Sequence, residues 1–253
     1  MIRIAATGDV HFGEDSAGTL RTCLERIDRD ADVLLLAGDL TKYGDPRQAE
    51  VLADELRDLP VPVVTVLGNH DYHSDRQDEV RGVLERAGVT VLEGESVVID
   101  VNGADIGIAG GKGFGGGFTG SSGTEFGEPQ MKAFIRHSTI LAENLERALA
   151  AIQRVDLKIA LMHYSPIRDT LEGEPPEIFP FLGSFLLAEA VDRTGVDLAL
   201  HGHAHHGSEK GVTPGGVNVR NVAMPVLRRP YAVYAFERAR PAGRPERVRA
   251  MVD

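Results

Sequence analysis

The chain has 253 residues, of which 42% are hydrophobic and 26% are charged, as in an ordinary globular domain. Its formal net charge of -11 argues against a protein that binds nucleic acid through a basic face. The single cysteine excludes an intramolecular disulfide framework and a cysteine-based zinc site.

The sequence predicts neither a targeting segment nor a membrane span. Residues 1–6 lack the charged and apolar regions of a signal peptide and run directly into a polar motif. No apolar stretch approaches the roughly 18 residues that a membrane-spanning helix needs. We therefore expect a cytoplasmic protein without a membrane partner.

The first part of the chain alternates short apolar strands with helices. Strands are predicted at residues 2–7, 33–37 and 62–67, because these apolar runs are typical of strands buried on both faces. A first helix is indicated by the spacing of Leu20, Cys23, Leu24 and Ile27, and Cys23 is expected to be packed within it. Asp45 and Pro46 are typical of the start of a second helix, and a third is predicted at residues 77–87. This order indicates parallel βαβ units.

The middle and last parts of the chain add antiparallel strands. Asn102-Gly103 lies between two apolar runs, which is the strongest short signal of a β-hairpin. The remaining elements are predicted in the following order: a helix at 129–154, a strand at 156–162, a helix at 181–192, a strand at 196–200, and antiparallel strands at 218–223, 231–236 and 247–252. No linker divides the chain, so we expect a single domain over residues 1–253.

Residues 110–127 form a glycine-rich segment with two competing interpretations. No Gly-Lys-Ser or Gly-Lys-Thr opens a helix after it, so it differs from a Walker-type phosphate loop. One interpretation is a flexible linker. The other is a lid that faces the substrate, in which Lys112, Phe114 and Phe118 contact the ligand.

Five predicted strands end in polar side chains that suit metal binding. These side chains are Asp9, His11, Asp39, Asn69, His70, His163, His203 and His205. Because ligands bind at the carboxyl ends of strands in open α/β sheets, we expect these residues to meet at one edge. Imidazole, carboxylate and amide oxygen together favour Mn, Fe or Zn. In an extended Asp-x-His or His-x-His segment, residues i and i+2 project to the same side and can approach one cluster.

The ordered motifs resemble those of the calcineurin-like metallophosphoesterase superfamily. The resemblance rests on Gly8-Asp9-Val10-His11, Gly38-Asp39, Gly68-Asn69-His70-Asp71, His163 and Gly202-His203-Ala204-His205. It implies an α/β fold, a four-layer α/β/β/α sandwich of two mixed β-sheets flanked by helices. It also implies two divalent or mixed-valence metal ions. One would be held by Asp9, His11, Asp39 and His205, and the other by Asp39, Asn69, His163 and His203, with Asp39 bridging.

The activity that the resemblance implies is metal-dependent hydrolysis of a phosphoester by a hydroxide held between the metals. The expected substrate is a small phosphodiester or phosphomonoester, with a nucleotide among the candidates. His70 matches the family's catalytic imidazole, which stabilises the transition state or protonates the leaving oxygen. For Asp71 two roles stay open, namely orienting a neighbouring imidazole or capping a turn or helix.

Departures from the family pattern narrow the expected substrate. In the second motif, Lys42 replaces the acid that would orient the catalytic histidine, and Tyr43 replaces a phosphate-binding arginine, which argues against a protein phosphatase. A nuclease acting on DNA or RNA is a second hypothesis, against which the acidic charge balance argues. A non-catalytic scaffold is a third, but it predicts eroded metal motifs, whereas every ligand position and His70 are kept here.

Overall fold

The computed structural model describes residues 1–237, so the strand predicted at 247–252 lies outside the described residues. Its strands are β1 Ile2–Thr7, β2 Val33–Ala37, β3 Val63–Val66, β4 Thr90–Val91, β5 Glu95–Val101, β6 Ala104–Gly111, β7 Gly117–Phe118, β8 Ser121–Ser122, β9 Leu157–Met162, β10 Leu198–His201, β11 Lys210–Val212, β12 Asn218–Asn221 and β13 Ala232–Phe236. Its α-helices are α1 Arg21–Leu24, α2 Ile27–Asp30, α3 Pro46–Leu56, α4 Gln77–Arg86, α5 Pro129–Ala151, α6 Phe179–Leu182, α7 Phe185–Thr194 and α8 Met224–Leu227. Two short 3-10 helices cover Asp169–Leu171 and Pro176–Ile178.

Two large mixed β-sheets form the centre of the fold. The five-stranded sheet has the order β13-β1-β2-β3-β4, in which β1 to β4 are parallel and β13 is antiparallel to β1. The six-stranded sheet has the order β11-β12-β10-β9-β6-β5, with β12, β10, β9 and β6 parallel and both edge strands antiparallel. Parallel strands bring their carboxyl ends to one edge of each sheet, which is where the predicted site residues follow.

The hydrophobic core has three layers, and β2 explains why its sequence is apolar throughout. Val33, Leu35 and Ala37 point between the two sheets, where they join residues of the six-stranded sheet. Leu34 and Leu36 point the other way, towards the helices that cover the five-stranded sheet. Each leucine buried in this way contributes roughly 1.5–3 kcal/mol of transfer free energy.

The outer face of the six-stranded sheet is covered by α5 and α7. Met162 of β9 packs there with Leu149 of α5 and with Leu187 and Val191 of α7. Helices therefore cover both outer faces of the sheet pair. This architecture confirms the predicted four-layer α/β/β/α sandwich.

Local sequence signals account for some of the element boundaries. Asp45 is the N-cap of α3, because its side chain accepts a hydrogen bond from the backbone N–H of Arg47 at 2.9 Å. The hairpin predicted at Asn102-Gly103 joins β5 and β6 in antiparallel register. The helix predicted at 181–192 is instead divided into α6 and α7. It breaks at Gly183, where a Cβ would lie 2.0 Å from the carbonyl oxygen of Ser165.

Two further predictions are wrong for identifiable reasons. The spacing around Cys23 yields two short helices, α1 and α2, and Cys23 is exposed because its position faces away from the buried Leu24 and Ile27. The strand predicted at 218–223 as antiparallel is β12, which pairs antiparallel with β11 but parallel with β10. Alternation of apolar residues identifies a strand without specifying its direction.

Within residues 1–237, no helix combines the length and the apolar character needed to cross a membrane.

Candidate metal centre

The predicted site residues converge where the two sheets face each other. Asp9 and His11 follow β1, Asp39 follows β2, and Asn69 and His70 follow β3 of the five-stranded sheet. His163 follows β9, and His203 and His205 follow β10 of the six-stranded sheet. Two overlapping clusters result, in which the potential ligand atoms lie within 4.8 Å of one another: Asp9, His11, Asp39 and His205 in one, and Asp39, His163 and His203 in the other.

The backbone at these positions is bent, which corrects the prediction that extended segments bring the residues together. Asp9, His11, Asp39 and His203 have φ angles of 56°, 43°, 50° and 70°, in the left-handed region that side chains seldom adopt. They are half of the eight non-glycine residues with positive φ that the described chain contains. Such strain is held by surrounding contacts and concentrates at functional sites.

Two glycines permit the close approach of these segments. A Cβ at Gly68 would lie 2.1 Å from Oδ1 of Asp39, and a Cβ at Gly202 would lie 2.2 Å from Oδ2 of Asp9. Either contact is far inside the van der Waals distance, so a larger residue would displace the carboxylate. The glycines before Asn69 and His203 therefore serve to seat the acids of the neighbouring strands.

His163 shows most clearly that the cluster suits a cation. Its Nδ1–H donates to the carbonyl oxygen of Ala37 at 2.8 Å, and burial lowers its pKa well below the usual value, so the ring is neutral. Nε2 then carries a lone pair, yet it lies 2.9 Å from Oδ1 of Asn69 and 3.2 Å from Oδ1 of Asp39. Three acceptor atoms facing one another repel unless a cation lies among them.

His203 is held in a similar way from the opposite side. Its Nε2–H donates to the carbonyl oxygen of Phe181 at 3.3 Å, which leaves Nδ1 as the atom available to a metal. Burial, reinforced by the charge of His163, lowers the pKa of His203 to about 3. The backbone N–H of His203 donates to both carboxylate oxygens of Asp9, each at 3.0 Å.

The cluster of Asp9, His11, Asp39 and His205 is centred on Asp9. Nε2 of His205 lies 2.8 Å from Oδ1 of Asp9 and 3.4 Å from Nε2 of His11. Burial raises the pKa of Asp9 to about 6, while the hydrogen bond to Asp9 raises the pKa of His205. Burial lowers the pKa of His11 to about 4. The proton shared by Asp9 and His205 is the one that a bound cation would displace.

His70 lies at the rim of the cluster with its ring accessible. Its Nδ1–H donates to the backbone carbonyl oxygen of Lys42 at 2.8 Å, and its Nε2 lies 3.9 Å from Oδ2 of Asp39. The side chain is 42% exposed, compared with complete burial of His163. A backbone carbonyl therefore orients His70, at the position where Lys42 has replaced the acid expected from the resemblance.

Asp71 is a structural anchor of the loop that carries this carbonyl. Its fully buried carboxylate accepts hydrogen bonds from the backbone N–H groups of Leu40, Thr41 and Gly68 and from the hydroxyl of Thr41, at 2.7–3.1 Å. Burial, with the charge of Asp39, raises its pKa to about 6, so the carboxylate is ionised at neutral pH. Of the two roles left open by the sequence, these contacts match the turn-stabilising one.

The glycine-rich segment is packed against the body over its first part. Gly116 and Gly117 donate backbone hydrogen bonds to Pro180 and Gly183, at 2.7 and 3.0 Å. These contacts disagree with a flexible linker over these residues. The lid function of residues 110–127 stays a prediction.

The three predicted substrate contacts differ in their surroundings. Lys112 is 5% exposed, and its Nζ lies 4.9–5.3 Å from the ring centres of Tyr72, Phe114 and Tyr164. Phe114 is half-buried, whereas Phe118 is buried in a hydrophobic cluster with Leu171, Leu182 and Ala204. Substrate contact by these residues stays a prediction.

The other histidines lie outside the two clusters. His201 is buried, with its ring nitrogens 2.7 Å from the carbonyl oxygen of Gly202 and 2.8 Å from the hydroxyl of Thr170. His73, His137 and His206 are exposed. The site residue that sequence reasoning missed is Phe181, since its carbonyl contact with His203 leaves no signal in the side-chain pattern.

The fold and the two clusters define a class of protein, the α/β/β/α sandwich with a divalent metal centre between its sheets. A model of the calcineurin-like phosphoesterase family matches residues 2–207, and the chain belongs to this family.

Individual relatives are more distant. The chain is 33% identical over 91 residues to a probable cyclic nucleotide phosphodiesterase of Synechococcus sp. (strain ATCC 27144 / PCC 6301 / SAUG 1402/1). That match covers 32% of this chain and only 35% of the cyanobacterial protein. A phosphopantetheinyl hydrolase from Mycobacterium tuberculosis has a similar fold, with a TM-score of 0.61, 17% identity, and coverage of 87% of this chain and 88% of that one. A putative 5'-nucleotidase from Staphylococcus aureus has a TM-score of 0.56 and 17% identity, with coverage of 87% and 48%.

Proposed function

We propose that the protein is a metal-dependent phosphoesterase that hydrolyses a small phosphoester. The observation that carries the proposal is the set of facing acceptors formed by His163 Nε2, Asn69 Oδ1 and Asp39 Oδ1. A neutral imidazole has no reason to face two oxygen acceptors unless a cation joins them. Membership of the calcineurin-like phosphoesterase family supports the same conclusion.

Two divalent cations would be held by seven side chains, with Mn, Fe or Zn favoured by the mixed oxygen and nitrogen donors. Asp9, His11, Asp39 and His205 would hold one, and Asp39, Asn69, His163 and His203 the other, so that Asp39 bridges them. When bound, such a pair lowers the pKa of water to about 7 and offsets the charge that develops on the phosphoryl oxygens. The chain's own contribution is to hold these donors in place through the hydrogen bonds to Ala37 and Phe181.

His70 would act on the leaving group. Donation of its Nδ1–H to the Lys42 carbonyl fixes the tautomer and directs Nε2 towards the centre. In the protonated state, Nε2–H can stabilise the developing charge or donate the proton to the departing oxygen. The 42% exposure of the side chain leaves room for a substrate beside it.

We further propose a phosphodiester as the preferred substrate. The support is the partial similarity to a protein named as a probable cyclic nucleotide phosphodiesterase, at 33% identity over 91 residues. Lys112 would add positive charge behind the metal centre, and Phe114 would contact the organic part of the substrate. The net charge of -11 argues against a polynucleotide. One domain over residues 1–253 is proposed to carry the whole activity.

Chelation tests this proposal directly. Hydrolysis of bis(p-nitrophenyl) phosphate should disappear after dialysis against a chelator and return when Mn2+ is added. Elemental analysis should show two cations per chain in the active sample and none in the dialysed one. A phosphomonoester and a single-stranded oligonucleotide, assayed in parallel, distinguish the proposed substrate from the alternatives. Full activity in the metal-free sample would disprove the two-metal mechanism.

A further inference from the structure

Four aromatic side chains form a continuous row from the metal centre to the protein surface. We call Tyr164, Phe114, Phe134 and Phe181 the aromatic wall. Measured between ring centres, Tyr164 lies 4.3 Å from His203, and Phe114 lies 5.7 Å from Tyr164. Phe134 lies 5.0 Å from Phe114 and 6.3 Å from Phe181. The wall therefore runs from beside His203, a proposed metal ligand, to the exposed ring of Phe181.

The outer end of the wall is fixed by contacts on both sides. The carbonyl oxygen of Phe181 accepts the hydrogen bond from His203, so the residue is tied to the metal centre itself. On the other side, a Cβ at Gly115 would lie 2.6 Å from the carbonyl oxygen of Pro180 and 3.1 Å from Cα of Phe181. Gly116 donates a hydrogen bond to Pro180 at 2.7 Å. The glycine-rich segment thus lets the backbone pack closely against the Phe181 loop.

Phe181 is nevertheless 60% exposed. Its ring plane is 79° from that of Phe134, so the two rings form a corner. The inner rings Phe114 and Tyr164 already have the ammonium of Lys112 over their faces. Phe181 is therefore the most exposed ring of the aromatic wall, since Tyr164 is buried and Phe114 and Phe134 are half-buried.

We propose that the aromatic wall binds a planar aromatic group esterified to the substrate's phosphate, either a nucleobase-bearing arm or an aryl arm. The inference rests on the proposed function, since the wall is defined by its distance from the metal centre. A flat ring that stacks on Phe181 gains contact area on a preformed surface, and stacking on an aromatic side chain tolerates every base. Phe181 is then the residue that determines substrate preference at this site.

The test compares substrates that share one leaving group. The Mn2+-loaded protein is assayed with the p-nitrophenyl esters of thymidine monophosphate, phenyl phosphate and methyl phosphate. The ratio of kcat/KM for each aromatic arm to that for the methyl arm measures the preference. We expect Phe181→Ala to lower at least one of these ratios about tenfold, the loss expected for one stacked ring. A fall confined to thymidine identifies a nucleobase site, and a fall confined to phenyl identifies an aryl site.

Matched variants separate stacking from general apolar contact. Phe181→Tyr should keep the preference, and Phe181→Leu should lose most of it, because leucine has no flat ring. Phe126 is also an exposed phenylalanine, at 88%, and lies outside the wall, so Phe126→Ala should leave the ratios unchanged. Equal ratios in the wild type and Phe181→Ala would overturn the proposal.

A binding measurement keeps the inference separate from catalysis. By calorimetry, the Mn2+-loaded wild type should bind thymidine monophosphate or phenyl phosphate about tenfold more tightly than inorganic phosphate, and Phe181→Ala should lose this advantage. If no ester is hydrolysed but this difference is observed, the proposed function fails and the aromatic wall stands. If all esters are hydrolysed and neither measurement depends on Phe181, the function stands and the wall fails.

Discussion

The two sheets contribute different chemistry to the proposed metal centre. The five-stranded sheet supplies both carboxylates, Asp9 and Asp39, together with Asn69 and the imidazole of His11. The six-stranded sheet supplies only imidazoles, from His163, His203 and His205. All the negative charge of the clusters thus comes from one side, and each cluster still needs a histidine from the other. Cation binding should therefore stabilise the contact between the sheets.

The two sheets also hold their ligands by different means. Asp9, His11 and Asp39 of the five-stranded sheet lie on backbone with positive φ, so main-chain geometry determines their direction. His163 and His203 of the six-stranded sheet are oriented by ring hydrogen bonds to carbonyl oxygens, although His203 also has a positive φ. The side chains from the five-stranded sheet are therefore sensitive to changes in the backbone and in charge. Those from the six-stranded sheet are sensitive to changes in their hydrogen-bond partners.

The largest expected effect comes from removing the charge that both clusters share. Asp39→Asn should abolish tight binding of both cations, because Asp39 belongs to both clusters, whereas His203→Ala should affect one. Loss of metal stabilisation worth several kcal/mol should lower kcat/KM by about three orders of magnitude. Elemental analysis after dialysis, with kcat/KM on bis(p-nitrophenyl) phosphate, measures both.

The control for this comparison is His206→Ala, which alters an exposed histidine next to His205 outside both clusters. It should retain two cations and near-normal activity. Two tightly bound cations in Asp39→Asn would contradict the bridging role and the asymmetry between the sheets.

A smaller effect is expected at His70, which lies on the five-stranded side but outside both clusters. His70→Ala should lower kcat about 10²-fold, the lower end of the usual contribution of a general acid, while two cations remain bound. Elemental analysis and kcat on the same substrate separate the two effects.

His73→Ala serves as the control, because His73 is exposed and lies three residues further along the same segment. It should keep both metal content and kcat. Loss of a cation in His70→Ala would instead make His70 a ligand.

The sequence predicted well which strand ends carry the site residues. Runs such as 33–37 are buried on both faces, and a polar residue directly after such a strand lies at the sheet edge whatever the loop conformation. The residue pattern was therefore enough to place Asp39 and His163 each at a sheet edge, and the family resemblance, which implies two facing sheets, to place them together. The bend at Asp9 and His11 could not be predicted, because positive φ at a non-glycine residue is held by tertiary contacts.

The sequence pattern could not identify residues that act through their backbone or through packing against distant parts of the chain. The group that orients His70 is the carbonyl of Lys42, which any residue at that position would supply. The aromatic wall joins Phe114 of the loop after β6, Phe134 of α5 and Phe181 of α6. Only the fold brings these rings together, so no local spacing could indicate them.

The smallest of these effects concerns Asp71, which supports the backbone geometry of the five-stranded side. Asp71→Asn would turn an amide NH2 group towards backbone N–H groups whose hydrogen bonds the carboxylate now accepts. These N–H groups belong to Leu40 and Gly68 on the Oδ2 side, or to Thr41 on the Oδ1 side. At about 1–3 kcal/mol for each buried donor left unsatisfied, the free energy of unfolding should fall by about 1–3 kcal/mol if the amide faces Thr41 and by about 2–6 kcal/mol if it faces Leu40 and Gly68. Urea unfolding in chelator measures this without a contribution from metal. Asp75→Asn, an exposed change in the same segment, should stay within about 0.5 kcal/mol. Equal stability of the two variants would show that the Asp71 contacts do not hold the loop.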